Sequence, residues 1–279
     1  MAAHMFKNSF LNANENTKNI FLKSLLSTIT NIIKQEKLNI DLKKSNSFSD
    51  TTLTDFSVPL KSEETKSTYF IVLQAIRIAG LLHDVGHLPF SHQCEYAMQK
   101  LYLDIKQKDT KNNKEKSFEQ YYNTITKNNS LVLHEALGLK YTEILFKQEL
   151  DFKQNDYIKL LFFIIKNIYT NTKDMFFDYS ILHSFVDSTI DADRLDYINR
   201  DMLASGYISG AVDFIRIAKA SILVFENDTF HLSFYDSELM NIEQVLEMRF
   251  NLYKKIIFNH DIAATDIHLE NVIYYLCKE

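Results

Sequence analysis

Apolar positions along the chain recur at steps of three and four residues over most of its length, the spacing of one face of a helix. Met5, Phe6 and Phe10, then Ile20, Phe21, Leu25, Ile29 and Ile32, follow this rhythm, and the polar run Asn12–Asn16 predicts a break between two helices. Residues 36–66 are rich in Ser, Thr, Lys and Asp and only weakly periodic, which predicts a loop holding at most a short helix. Thr68–Leu82 predicts a strongly apolar helix. Gly86 and Pro89 then predict a turn, with Ser91 placed to cap a helix running to about Leu103. Residues 104–117 offer almost nothing to bury and predict a solvated, mobile insertion, with a nucleic-acid patch as the weaker reading of their lysines. Further helices are expected at about 131–147, 155–169, 178–187 and 191–204, and again after Gly210. Ser221–Glu226 and Thr229–Tyr235 flank Asn227-Asp228, a hairpin signal, and helices resume at Ser237–Asn259 and 265–277. The expected fold is therefore all-α with one small β-hairpin near 221–235, and no internal repeat is visible.

Composition sharpens this picture. With 279 residues, 46% of them hydrophobic, the chain can build a core and is not a disordered or collagen-like polymer. Five Gly and two Pro are too few for the many turns of a sheet protein, which again favours long helices. All five glycines (Gly80, Gly86, Gly138, Gly206, Gly210) fall in the middle of the chain, which directs the search for chemistry there. A net charge of −5 gives no general field for nucleic acid or an anionic membrane. Cys94 and Cys277 are too few for a disulfide framework and read as free thiols of a cytoplasmic protein. The apolar runs at 69–82 and 160–165 are short or interrupted by charge, so no bilayer span is expected, and no secretory signal pattern opens the chain.

The chemistry-bearing residues cluster in two stretches. The first reads Leu81-Leu82-His83-Asp84-Val85-Gly86-His87-Leu88-Pro89-Phe90-Ser91-His92, the second Asp191-Ala192-Asp193-Arg194-Leu195-Asp196-Tyr197-Ile198-Asn199-Arg200-Asp201. Adjacent helical side chains point about 100° apart, so His83 and Asp84 can occupy neighbouring corners of one ion's coordination sphere. A lone His-Asp pair is more often a helix end with a capping carboxylate. Here His87, His92 and His134-Glu135 accompany it, and Asp193, Tyr197 and Asp201 share one helical face. Asp196 and Arg200, four apart, read as a surface ion pair.

Together these stretches resemble the HD-domain metal-dependent phosphohydrolases, and within them the deoxynucleoside triphosphate triphosphohydrolase branch, which has vertebrate and bacterial members. The resemblance extends over nearly the whole chain, including Asn241–Lys254. It implies a divalent transition metal (Mn, Fe, Ni or Zn, with Mg possible on substrate phosphates) held by His83, Asp84 and Asp193. It implies that His134 protonates the leaving 5′-oxygen, that Glu95 orients it, and that His87 and His92 line the pocket. Arg194 and Arg249 would contact phosphate, Tyr197 would pack on the deoxyribose, and Asp201 would accept from the 3′-hydroxyl. A nucleotide substrate and a homo-oligomer are implied as partners, and hydrolysis of deoxynucleoside triphosphates to deoxynucleoside and triphosphate as the activity. Another HD-type nucleotide phosphohydrolase or phosphodiesterase, or a catalytically impaired regulatory protein, is the alternative.

The family pattern also carries a first metal-binding histidine, in a His-Ser-Leu-Gly-Val-like motif upstream of the His-Asp pair. The only upstream histidine here is His4, and by register the ligand would precede Met1. Residues 1–220 are accordingly expected to form an HD core lacking its N-terminal start. Residues 221–279, the hairpin and following helices, are expected to begin a truncated C-terminal portion. Ile256–His260 resembles a segment where relatives have Val-Tyr-x-His, with Asn259 and His260 both open as the equivalent.

Overall fold

Asn12–Asn16 breaks the N-terminal helical stretch because Asn14 serves as an N-cap, its side chain accepting from the Thr17 backbone N–H. The result is α1 (Ala2–Asn12) followed by α2 (Glu15–Gln35). In this computed structural model the described residues are 1–44, 55–128, 131–149, 152–207 and 212–278. Part of the 36–66 loop, at 45–54, and Gly210 lie outside them.

The remaining helices are α3 (Glu63–Leu82), α4 (His92–Lys106), α5 (Asn113–Ile125), α6 (Leu133–Glu149), α7 (Asp156–Tyr169), α8 (Ser180–His183), α9 (Ala192–Ala204), α10 (Phe214–Lys219), α11 (Leu239–Leu252) and α12 (His260–Lys278). The strands β1 (Ser221–Glu226) and β2 (Thr229–Phe234) pair antiparallel from Ser221 opposite Phe234 to Glu226 opposite Thr229. Asn227 and Asp228 both take positive φ, 50° and 60°, as a two-residue hairpin turn matched to strand twist requires. The protein is all-α with one small hairpin.

The chain divides into two compact units. One comprises residues 1–81 and 146–250. Its core is aromatic: Phe6 stacks on Tyr69 and meets Phe185 edge-on, while Phe21 meets Phe177 and Phe230. The apolar stretch of α3 supplies Ile71, Val72, Leu73, Ala75, Ile76 and Ala79, all buried, and α7 adds Leu160, Leu161, Ile164, Ile165 and Ile168. The hairpin packs on α1, where Ser221 Oγ donates to Met5 O and Asn12 Nδ2 to Ser221 O, each at 2.9 Å.

The other unit comprises residues 82–145 and 251–279. Ala97, Leu101 and Ile105 of α4 pack on Tyr274 of α12, and Tyr102 of α4 stacks on Tyr122 of α5 with ring centroids 4.4 Å apart. Lys100 Nζ donates to Asn271 Oδ1, and the Tyr274 hydroxyl to Asp104, so α4 and α12 are tied by polar contacts as well.

Four expectations are adjusted. Residues 104–117 are mostly exposed, as expected, but largely helical: α4 extends to Lys106, and Asn112 with Glu115 forms a reciprocal capping box that starts α5. Of the five lysines there, Lys108 pairs with Glu115 and Lys111 with Glu119. The helix expected at 178–187 is only the single turn of α8. The long helix expected at 237–259 runs without interruption from 236 to 257 but changes type at its ends: a 3-10 turn at Asp236–Glu238 leads into α11, a π-helical turn at Tyr253–Ile257 follows it, and α12 starts at His260. Ser91 occupies the N-cap position of α4 but its hydroxyl makes no cap bond.

Candidate active site

His83 and Asp84 lie in the turn that ends α3, and Gly86 determines how tightly that turn packs. A Cβ on Gly86 would stand 2.0 Å from His134 O and 2.2 Å from Gly138 N. The glycine is therefore required by close approach of two main chains, and positive φ is not its reason. The same approach brings the start of α6, and with it His134, against the His-Asp turn.

Glu95, one turn into α4, is 7% exposed and grips two histidines. His134 Nδ1 donates to its Oε2 at 2.9 Å, the His134 backbone N–H donates to Oε1 at 3.2 Å, and His92 Nδ1 lies 3.2 Å from Oε2. Glu95 thus satisfies an otherwise unpaired N–H in the first turn of α6 and fixes the ring nitrogens of both histidines. Burial pushes the Glu95 carboxyl up, but the hydrogen bonds from His134 and His92 outweigh it and hold the pKa down at about 2. Its partner His134 is raised, chiefly by the hydrogen bond to Glu95. His87 is lowered, first by burial and then by the His134 charge. Its Nδ1 lies 3.2 Å from Ser91 Oγ, so the hydroxyl expected to cap α4 faces a histidine instead. Phe90 and Ser91 both have positive φ, 65° and 52°.

The donors of the His-Asp turn fit a divalent transition ion. His83 Nε2 and Asp84 Oδ2 are 3.1 Å apart, and two donors at about 2.1 Å from one ion, at right angles, are separated by about 3 Å. The His83 hydrogen bond lowers the Asp84 pKa against burial, so its carboxylate is ionised and ready to ligate. Nitrogens of His87, His92 and His134 also come within 4.8 Å of one another. The His87 and His134 rings, however, are stacked at 4.4 Å with planes 13° apart. An imidazole binds a metal in its own plane, and two stacked rings share no in-plane point. The trio suits N–H donation to an oxyanion better than metal binding.

Asp193, Arg194, Tyr197 and Asp201 lie on α9, in the other unit. Asp191 caps this helix, accepting the Arg194 backbone N–H at 2.7 Å, and accepts the Ser188 backbone N–H at 2.7 Å. Its Oδ2 also accepts from Arg194 Nη1 at 2.8 Å. Asp193, Tyr197 and Asp201 recur at helical spacing on α9, and Asp201 accepts from Arg200 Nε at 3.3 Å. Arg200 also reaches Asp196 at 2.7 Å, the surface pair expected from their spacing. Arg249 is half-buried on α11. The hold of Asp191 on Arg194 has a sequence signal, since an Asp three residues before an Arg at a helix start marks a cap.

Comparison with known proteins agrees with these motifs. The chain is 27% identical over 191 residues to the deoxynucleoside triphosphate triphosphohydrolase SAMHD1 homolog of Dictyostelium discoideum, a match covering 68% of this chain and 31% of that protein. It is 24% identical over 218 residues to a putative HD domain-containing protein, L394, of Acanthamoeba polyphaga mimivirus, covering 78% of this chain and 41% of that one. The crystal structure of a phosphohydrolase from Bacteroides thetaiotaomicron superposes with a TM-score of 0.51 at 18% identity, over 98% of this chain and 54% of that one, which shows a shared fold. No family model matches. The chain is related to the HD-domain phosphohydrolases. It spans between 31% and 41% of the length of these two curated relatives. Among the described residues no helix is long and apolar enough to cross a membrane, and both cysteines are free.

Proposed function

We propose that the protein hydrolyses deoxynucleoside triphosphates to deoxynucleoside and triphosphate. The observation that supports this most is the pairing, within one unit, of an ion-spaced His83–Asp84 turn with the His134–Glu95 dyad. His83, Asp84 and, from the resemblance of its motif, Asp193 are the proposed ligands of a divalent transition metal. Such an ion supplies Lewis acidity toward water and phosphoryl oxygen. His134, whose pKa is raised by its hydrogen bond to Glu95, delivers a proton to the departing 5′-oxygen. His87 and His92 face the phosphates as N–H donors, and Arg194 and Arg249 add positive charge to them. Tyr197 packs on the sugar and Asp201 accepts from the 3′-hydroxyl. A homo-oligomer is the proposed working form.

Incubation with each deoxynucleoside triphosphate and Mn, with separation of products, tests the reading. Inorganic triphosphate and free deoxynucleoside are expected. Release of orthophosphate, pyrophosphate or a nucleoside monophosphate would replace it with another nucleotide phosphohydrolase activity of the same fold.

A further inference from the structure

Arg194 is gripped unequally by two carboxylates of its own loop. Its Nη1 donates to Asp191 Oδ2 at 2.8 Å, and Asp191 is buried, with its Oδ1 and Oδ2 also occupied by the Arg194 and Ser188 backbone N–H groups. That contact is a fixed strut. The other terminal nitrogen, Nη2, lies 3.4 Å from Asp187 Oδ1, and the Asp187 side chain is 58% exposed. Asp187 is further shared with His183, whose Nε2 lies 4.0 Å from its Oδ2.

A guanidinium presents two edges suited to planar or tetrahedral oxyanions. Here Nη1 is committed to Asp191, and Nη2 faces a solvent-exposed anion at a distance longer than a charge-assisted hydrogen bond. We infer that Asp187 is an affinity-setting placeholder: its carboxylate occupies the edge of Arg194 that an incoming phosphate group takes, and it is displaced when a phosphate-bearing ligand binds. The inference rests on the reading of Arg194 as a phosphate contact. Asp191 keeps the arginine oriented throughout, so displacement needs no rearrangement of α9. An exposed ion pair is weak, and removing the competitor is worth about a two- to five-fold gain in phosphate affinity.

The test is calorimetric titration of the full chain with inorganic tripolyphosphate, without added metal, for wild type, Asp187→Asn, Arg194→Ala, the double variant and Asp196→Asn. Asp196 is an exposed carboxylate paired with Arg200 and serves as the charge control. Asp187→Asn is expected to bind about two- to five-fold tighter, with a gain that shrinks as salt rises. The gain is expected to vanish in the Arg194→Ala background and not to appear in Asp196→Asn. Equal or weaker binding by Asp187→Asn overturns the inference, as does the same gain without Arg194 or in the Asp196 control. Wild-type affinity unchanged by Arg194→Ala alone overturns the underlying reading of Arg194 and is seen separately. Binding undetectable in both wild type and Asp187→Asn overturns both.

Discussion

Replacing Glu95 with Gln keeps the shape of a buried side chain and removes the charge that holds His134 and His92. The carboxyl falls from its ordinary 4.5 to about 2 against an opposing push from burial. At roughly 1.4 kcal/mol per pH unit, that shift bounds the contribution at about 3 kcal/mol. Because Glu95 is 7% exposed, solvent screening removes little of it. The amide still accepts one hydrogen bond, so the expected loss is about 2 kcal/mol.

The pH window follows from both partners. The depressed Glu95 contributes stability that is present above 4.5 and is lost as pH falls toward about 2. The raised His134 contributes stability that is full below 6.5 and is lost as pH rises through its higher folded value. The pair is therefore strongest between pH 4.5 and 6.5. Urea unfolding of wild type and variant, extrapolated to water, should show a difference of about 2 kcal/mol near pH 5.5 and a smaller one near pH 9. A difference below about 0.5 kcal/mol at the lower pH, or one identical at both, would refute the reasoning.

Three further outcomes are expected. Gly86→Ala forces a methyl to 2.0 Å from His134 O, against main chain that cannot swing aside; a loss of about 3 kcal/mol or more in urea unfolding is expected, and a loss under about 1 kcal/mol would show that α6 moves easily. Ser91→Gly relaxes a backbone at φ 52° and ψ −123°, so the chain should gain about 1 kcal/mol in the same assay while Ser91→Ala does not. Asp84→Asn leaves a neutral donor beside His83 and should weaken Mn binding by about ten-fold or more in equilibrium dialysis; unchanged affinity would remove Asp84 from the ligand set.

The helical architecture was legible because burial follows the apolar spacing directly, as in α3 and α7. What escaped were features decided by polar contacts. Residues 113–125 form a helix although their first half is nearly all polar, since the Asn112–Glu115 capping box starts it and Phe118, Tyr122 and Ile125 anchor it. That box is a signal carried by the sequence itself. Ser91 has the residue type of a cap, but its positive φ turns the hydroxyl to His87, a contact set by the fold around it. At the site, the His92–Glu95 pair is readable at i, i+3, whereas the second grip of Glu95 on His134 joins residues 39 apart in sequence. Gly86 was read as a turn glycine, and its actual constraint lies on another helix. Asp187 shows in the sequence only as the end of the helix expected at 178–187, and it reaches Arg194 from the loop that replaces the end of that helix.

Every single-base change that alters the amino acid at a glycine codon adds at least one heavy atom to the chain. At Gly86 the added atom would overlap the carbonyl of His134, the residue whose ring Glu95 holds and which is proposed to deliver the proton. The position therefore has no conservative neighbour in the genetic code. A copy of this gene carrying anything else at residue 86 would be marked by that one codon as having lost the alignment of His134, even if every histidine and aspartate around it were intact.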